Sequence, residues 1–167
     1  GGEPDRVTKL YYDWRNRLVA TKSGHEASES TTLNRPIGYV EYDNLNEVIA
    51  AESYDGDGVT ITDSNSDGVP DKPSSSLLRA RSTTSYDDQA RPYATFTFSV
   101  NQSTGAVSST SLATNLWYGR RGQVLKTSAP GGLVGKAEYD GAARVSKRFL
   151  TDAGGDTAWS DAANVTG

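Results

Sequence analysis

One short pattern recurs five times along this chain and leaves few folds open to it. It reads Tyr12-Asp13-Trp14-Arg15-Asn16-Arg17-Leu18, then Tyr42-Asp43-Asn44-Leu45-Asn46-Glu47-Val48 and Tyr86-Asp87-Asp88-Gln89-Ala90-Arg91-Pro92. It returns as Tyr118-Gly119-Arg120-Arg121-Gly122-Gln123-Val124 and Tyr139-Asp140-Gly141-Ala142-Ala143-Arg144-Val145. The starts lie 30, 44, 32 and 21 residues apart, so a common element of about 21 residues carries insertions of different length. Such recurrence marks a supersecondary unit that buries its core by stacking on its neighbours.

The pattern has the chemistry of a tight β-turn. Asp at the first corner accepts N–H bonds from its own turn. The fifth position holds Asn, Asn, Ala, Gly and Ala. Asn and Gly tolerate a left-handed backbone, so the two Ala copies should be strained or turned differently. Tyr before the turn and Leu or Val after it would face each other across a hairpin. Period-two alternation supports strands elsewhere: Ala94, Phe96, Phe98 and Val100 alternate with Thr95, Thr97 and Ser99. Asn101-Gln102-Ser103-Thr104-Gly105 and Pro130-Gly131-Gly132 read as turns. Residues 44–52 could be written as a short helix, but the repeat register argues that they are a strand. The chain is therefore expected to be all-β, an array of antiparallel hairpins in a curved repeat sheet.

On these residues the pattern resembles the Tyr-Asp repeat, or RHS repeat, of large bacterial secreted proteins and animal teneurins, over most of residues 5–152. The resemblance implies strands of a long sheet that spirals into a hollow shell, which in several toxins encloses a C-terminal toxic domain. This sequence shows neither the self-cleaving core motif of those proteins nor a toxin domain. It reads as a single segment of shell wall, 1–167, with 153–167 leaving the repeat as a terminal extension. Two positions depart from the pattern. Gly119 replaces Asp, and Pro92, which cannot donate to a ladder, belongs at an edge or a bulge. The chain has no Met, even at position 1, and so reads as a piece of something longer.

The formal charge of -4 is one local cluster. Six acids (Glu52, Asp55, Asp57, Asp63, Asp67 and Asp71) and no base fall between 52 and 71. The insertion, residues 52–74, contains Asp63-x-Asn65-x-Asp67-Gly68-x-x-Asp71. Oxygen ligands at positions 1, 3, 5 and 9 with Gly at 6 match most of an EF-hand-type loop, and the Val69 carbonyl stands at position 7. Hard oxygens without His or Cys select Ca²⁺. The spacing is similar to that of thrombospondin type 3 and dockerin-like calcium loops. Position 12 is Ser74 rather than Glu, so Asp57, or failing it Asp55, is expected to complete the shell. A second ion among Asp55, Asp57 and Asp71 is a weaker reading. The alternative is a solvated, ion-free turn.

Other chemistries find little footing. There is no Cys, which removes disulfides and thiolates. The single His25 sits in a polar stretch with no triad pattern, and no phosphate-binding Gly loop occurs. No basic stripe suits a nucleic acid, and no apolar run could span a membrane. The expectation is a non-enzymatic structural segment of a secreted or cell-surface repeat protein, stabilised by calcium. Its partners would be neighbouring repeats of the same chain and, through open sheet edges, further copies of itself. The alternative is a calcium-dependent carbohydrate-binding or adhesion module that stacks sugars on Trp14, Tyr93, Trp117 and Tyr118; against it, aromatics usually fill the packed face of a sheet.

Overall fold

The computed structural model describes residues 7–29, 31–32 and 35–151; the terminal extension at 153–167 lies outside them. Ten strands form one antiparallel sheet in chain order: β1 (Thr8–Tyr12), β2 (Leu18–Ser23), β3 (Ile37–Tyr42), β4 (Val48–Tyr54), β5 (Leu78–Tyr86), β6 (Pro92–Val100), β7 (Val107–Tyr118), β8 (Val124–Ser128), β9 (Val134–Tyr139) and β10 (Val145–Thr151). A single 3₁₀ turn, Ser75–Leu77, precedes β5. No α-helix occurs among the described residues. The chain divides into two compact units, Gly1–Thr83 with Phe98–Thr110 and Thr84–Thr97 with Ser111–Gly167.

All five Tyr-led turns join one strand to the next, and residues 43–47 are a turn, with β4 following directly. In the four turns whose registers are resolved, Tyr opposes the apolar residue six positions on: Tyr12–Leu18, Tyr42–Val48, Tyr118–Val124 and Tyr139–Val145. One residue beyond each of these pairs is skipped on the second strand, a β-bulge that tightens the local twist. Pro92 opens β6, a position where a missing N–H is tolerated. The fifth turn residue has positive φ in every copy: Asn16 +62°, Asn46 +69°, Ala90 +60°, Gly122 +81° and Ala143 +61°. The Ala copies adopt the same turn as the others and carry its strain.

In the first unit the pleat sorts residues cleanly. Ala20, Lys22, Ile37, Tyr39, Ala50, Glu52 and Tyr54 are all buried, and cross-strand pairing puts them on one face. Gly38 and Ala51 on the other face are exposed. The core is Val19, Ala20, Ile37, Tyr39, Tyr54, Ile61, Leu78 and Val100. Ile61 comes from the insertion, not from a strand. The buried face also carries two charges, Lys22 and Glu52, so whatever covers it must answer both.

Candidate functional site: turn ladder and acidic insertion

Four of the five Tyr-led turns are each built by one carboxylate; the fourth copy has Gly119 in its place. Asp13 Oδ1 accepts the N–H groups of Arg15 (2.9 Å) and Arg17 (2.8 Å), and its Oδ2 takes Arg17 Nε at 2.7 Å. Asp87 and Asp140 repeat this with Gln89, Arg91 and Ala142, Arg144. Asp43 makes the two backbone bonds with Glu47 in the arginine's place. These bonds hold the carboxyls below the usual Asp range: chiefly the Arg91 guanidinium for Asp87, and the Glu47 and Arg144 N–H groups for Asp43 and Asp140. At Asp13 burial pushes upward, and the bonds from Arg17 outweigh it.

The tyrosine joins one turn to the one before. Tyr42 donates its hydroxyl to the Leu18 carbonyl at 3.0 Å, Tyr118 to Pro92 at 2.7 Å and Tyr139 to Val124 at 2.9 Å. The arginine reaches forward: Arg17 stacks 4.7 Å from the Tyr42 ring centroid and donates to the Asp43 carbonyl, and Arg91 stacks 4.6 Å from Tyr118 and donates to Gly119. Within each unit, Tyr, Asp and Arg thus link one turn to the next as the rungs of a ladder. The arginine's part was missed in the sequence, although Arg follows Asp by four residues in three copies (Arg17, Arg91, Arg144).

The insertion sits inside a sixth turn of the same kind. Tyr54 opposes Leu78 with the same skipped residue. Asp55 N–H donates to the Leu77 carbonyl at 2.8 Å, as Asp13 N–H does to Arg17. Asp55 Oδ1 accepts the Asp57 N–H at 3.2 Å, and its Oδ2 pairs with Arg79 at 3.1 Å. The repeat-like turn corner at Asp55 was legible in the sequence; the complete hairpin was not, because the closing Leu78 follows only after the inserted loop.

From that turn the insertion folds back across the buried face of β2, β3 and β4. Its Gly68 carbonyl accepts the Trp14 N–H at 2.7 Å, and its Pro70 carbonyl accepts the Tyr39 hydroxyl at 2.7 Å. The buried Lys22 ammonium donates to the carbonyls of Gly56 (2.8 Å) and Val59 and pairs with Glu29 at 2.9 Å. The buried Glu52 carboxylate accepts Lys72 (2.8 Å), Arg81 and the Tyr54 hydroxyl (2.6 Å). Burial pushes the Glu52 carboxyl up, and these partners outweigh it, leaving it below the usual range. Burial pushes the Tyr39 hydroxyl up to about 12, so it stays a donor at neutral pH. Gly56 is required here, because a Cβ would lie 2.0 Å from the Arg35 carbonyl oxygen.

The candidate calcium residues fall into three groups. Asp63, Asn65 and Asp67 share one small loop: Asp63 Oδ1 and Asn65 Oδ1 both accept the Asp67 N–H at 3.2 Å, and Asp63 Oδ2 accepts the Gly68 N–H at 3.0 Å. Asp67 Oδ1 accepts the Val69 N–H at 2.8 Å, and its Oδ2 accepts the Asn65 amide at 2.9 Å. Asp71 stands at the loop's neck, its Oδ2 held by Thr62 Oγ1 (2.9 Å) and Ser64 N–H (2.7 Å); the Ser64 N–H is the first cause of its lowered pKa. Asp55 and Asp57 are engaged elsewhere, Asp55 in its turn and Asp57 Oδ1 on the Arg35 N–H at 2.8 Å. No three carboxylate or imidazole groups converge as a metal cluster among the described residues. The donor set is nonetheless all hard oxygen. Both carboxylate oxygens of Asp63 and of Asp67 accept one bond each and Asp71 Oδ2 accepts two, and Gly68 has the φ of +79° that position 6 of such a loop needs.

No protein-family model matches the chain, and no curated protein matches it. Among solved structures, a chain in the crystal structure of TcdB2-TccC3-TEV is similar at 11% identity and a TM-score of 0.44, over 86% of this chain and 8% of that one. The chain therefore spans a small fraction of the length of the chain it matches.

Proposed function

We propose that the chain is a non-enzymatic structural segment of a larger Tyr-Asp (RHS) repeat protein, secreted or at a cell surface. The observation that carries this reading is the ladder: the polar atoms of the recurring Tyr, Asp and Arg are spent within a turn or between one turn and the next. Residues used that way in one repeat after another are joints. Calcium is the second part of the reading. Asp63, Asn65, Asp67 and Asp71, with the Val69 carbonyl, would hold the ion, and Asp55 and Asp57 serve the fold instead. Bound there, the ion would supply charge neutralisation and order to the loop.

One observation favours the adhesion reading as an alternative. Trp14 is 72% exposed beside Gly68, an open aromatic next to the candidate calcium loop. Quenching of tryptophan fluorescence by a sugar in calcium, and not in chelator, would establish it.

The test of the main reading is thermal melting followed by circular dichroism, in calcium and in chelator, with matched calorimetry. Tyr118→Phe and Tyr139→Phe each lose one hydrogen bond of the ladder and are expected to cost about 1 kcal/mol in either buffer. Calcium is expected to raise Tm and to bind with measurable heat, both lost in Asp63→Asn/Asp67→Asn. Unchanged melting in the Phe variants would overturn the structural role. Absence of both heat and shift would overturn calcium alone.

A further inference from the structure

Among the described residues one asparagine, Asn101, stands in the order Asn-x-Ser/Thr with x other than Pro, as Asn101-Gln102-Ser103. That order is what an acceptor of an N-linked glycan requires, together with a place on the surface. Asn101 opens the turn that joins β6 to β7. Its N–H donates to the Ala106 carbonyl at 2.9 Å, and its own carbonyl accepts the Gly105 N–H at 2.8 Å. Its Oδ1 accepts the N–H groups of Ser103 (2.9 Å) and Thr104 (3.1 Å). Two donors on one side of the amide fix that atom as the oxygen. The nitrogen is therefore the atom on the other side, and Nδ2 makes no hydrogen bond among the described residues. Asn101 and Ser103 are both exposed. Gln102, between them, is turned back to the sheet: its Nε2 donates to the carbonyls of Arg79 (3.0 Å) and Val100 (2.9 Å). Gly105 seats the turn against the 3₁₀ turn, since a Cβ there would lie 1.8 Å from the Ser75 carbonyl oxygen.

We propose that Asn101 is a modification site, the acceptor of an N-linked oligosaccharide. The proposal rests on the reading of the chain as part of a secreted or cell-surface protein, because such a chain passes the membrane on which the sugar donor is carried. The donor is a lipid-linked oligosaccharide pyrophosphate, and a transferase supplies the base. A bond forms between Asn101 Nδ2 and the anomeric carbon of the first sugar. The bond from that carbon to the pyrophosphate oxygen breaks, and the lipid pyrophosphate leaves with its electron pair. The base takes one Nδ2 proton. Oδ1 is untouched by this step, so the glycosylated residue still caps the N–H groups of Ser103 and Thr104, and the turn is compatible with its product. The site also leaves the Tyr-Asp-Arg contacts clear, since it lies at the opposite end of β6 from the Tyr86-led turn.

The test expresses the full chain behind a secretion leader in cultured animal cells and maps glycopeptides by mass spectrometry, in both the secreted and the retained fraction. Peptide mapping separates Asn101 from Asn164, whose Asn164-Val165-Thr166 has the same order and lies outside the described residues. A glycan is expected on Asn101. Peptide N-glycosidase should release it and leave Asp at 101. Two substitutions are each expected to abolish it. Asn101→Asp keeps the oxygen that caps the turn and removes the nitrogen, so it loses the sugar without losing the Oδ1 bonds. Ser103→Ala leaves the Asn intact and removes the hydroxyl two residues on. Asn101 unmodified in both fractions overturns the proposal, as does a glycan that persists in Ser103→Ala. If Asn101 is unmodified while Tyr118→Phe still lowers Tm, the structural reading of the repeat survives; if Tyr118→Phe is also silent, both fall.

Discussion

At the scale of single residues, two atoms decide why this repeat uses Tyr and Asp. A phenylalanine could fill the same space, but only the tyrosine hydroxyl can satisfy the carbonyl of the residue that closes the preceding turn. An asparagine could cap the turn N–H groups, but only a carboxylate also binds the guanidinium four residues on. The fifth position is the weak point. Ala90 and Ala143 are exposed and held at φ of +60° and +61°, where an L-residue costs roughly 1–2 kcal/mol. Glycine has no such cost and gives back part of the gain as chain entropy. Ala90→Gly and Ala143→Gly should therefore each stabilise by roughly 0.5–1 kcal/mol, seen as a higher urea midpoint. A lower midpoint would show that the turn relaxes some other way. The corner Asp and the Asn or Gly at position five were legible in the sequence because turn chemistry is local. The partners that tyrosine and arginine take outside their own turn were not, since each lies 15 to 28 residues away, across a strand pair.

At the scale of elements, the insertion is a second layer on the sheet. A face bearing Ile37, Tyr39 and Tyr54 needs a cover, and the loop brings Ile61 to it, with Val59 packed alongside. It also brings two carbonyls for the Lys22 ammonium and the Lys72 cation for Glu52. A buried charge without such partners is destabilising by several kcal/mol, so the loop and the two charged strand residues require one another. Sequence spacing picked out the loop by its acids and assigned it to metal; Ile61, one apolar residue among polar neighbours, gave little sign of its burial. The alternation of Ala94, Phe96, Phe98 and Val100 was legible and falls in β6, but on the covered face Lys22 and Glu52 break the apolar pattern, and partners of both lie in a loop closed through a separate turn. Ile61→Ala removes a side chain that is 6% exposed and should cost about 2–4 kcal/mol. Thr60→Ala, exposed on the same loop, should cost almost nothing. Equal effects would mean that the loop does not pack as a layer. Calcium should not rescue Ile61→Ala to the wild-type Tm, because the lost packing is independent of the ion.

At the scale of the whole molecule, stability is tied to a distributed set of carboxylates rather than to one site. Asp13, Asp43, Asp87 and Asp140, one in each of four turns, and Glu52 and Asp71 all titrate below their ordinary range. The native state binds these protons less readily than the unfolded chain. Their stabilisation is complete above the unfolded carboxylate pKa of about 4, and it is lost as pH falls through that value toward the lower native ones. The urea midpoint should thus fall steeply below about pH 4, with contributions from every Asp-bearing turn. The fourth copy supplies an internal control. Gly119 replaces its Asp, and that turn closes on backbone bonds alone, Gly119 N–H to Gln123 at 2.8 Å and Gly122 N–H to Gly119 at 2.9 Å. In an NMR titration the amides of Arg15, Leu45, Gln89 and Ala142 should follow the protonation of the carboxylate each one bonds. Those of Arg121 and Gln123 should show no such step of their own. Asp87→Asn should remove the step at Gln89 and flatten part of the global acid slope. A slope unchanged by that substitution would place the acid sensitivity outside the turns, in Glu52 and its cations.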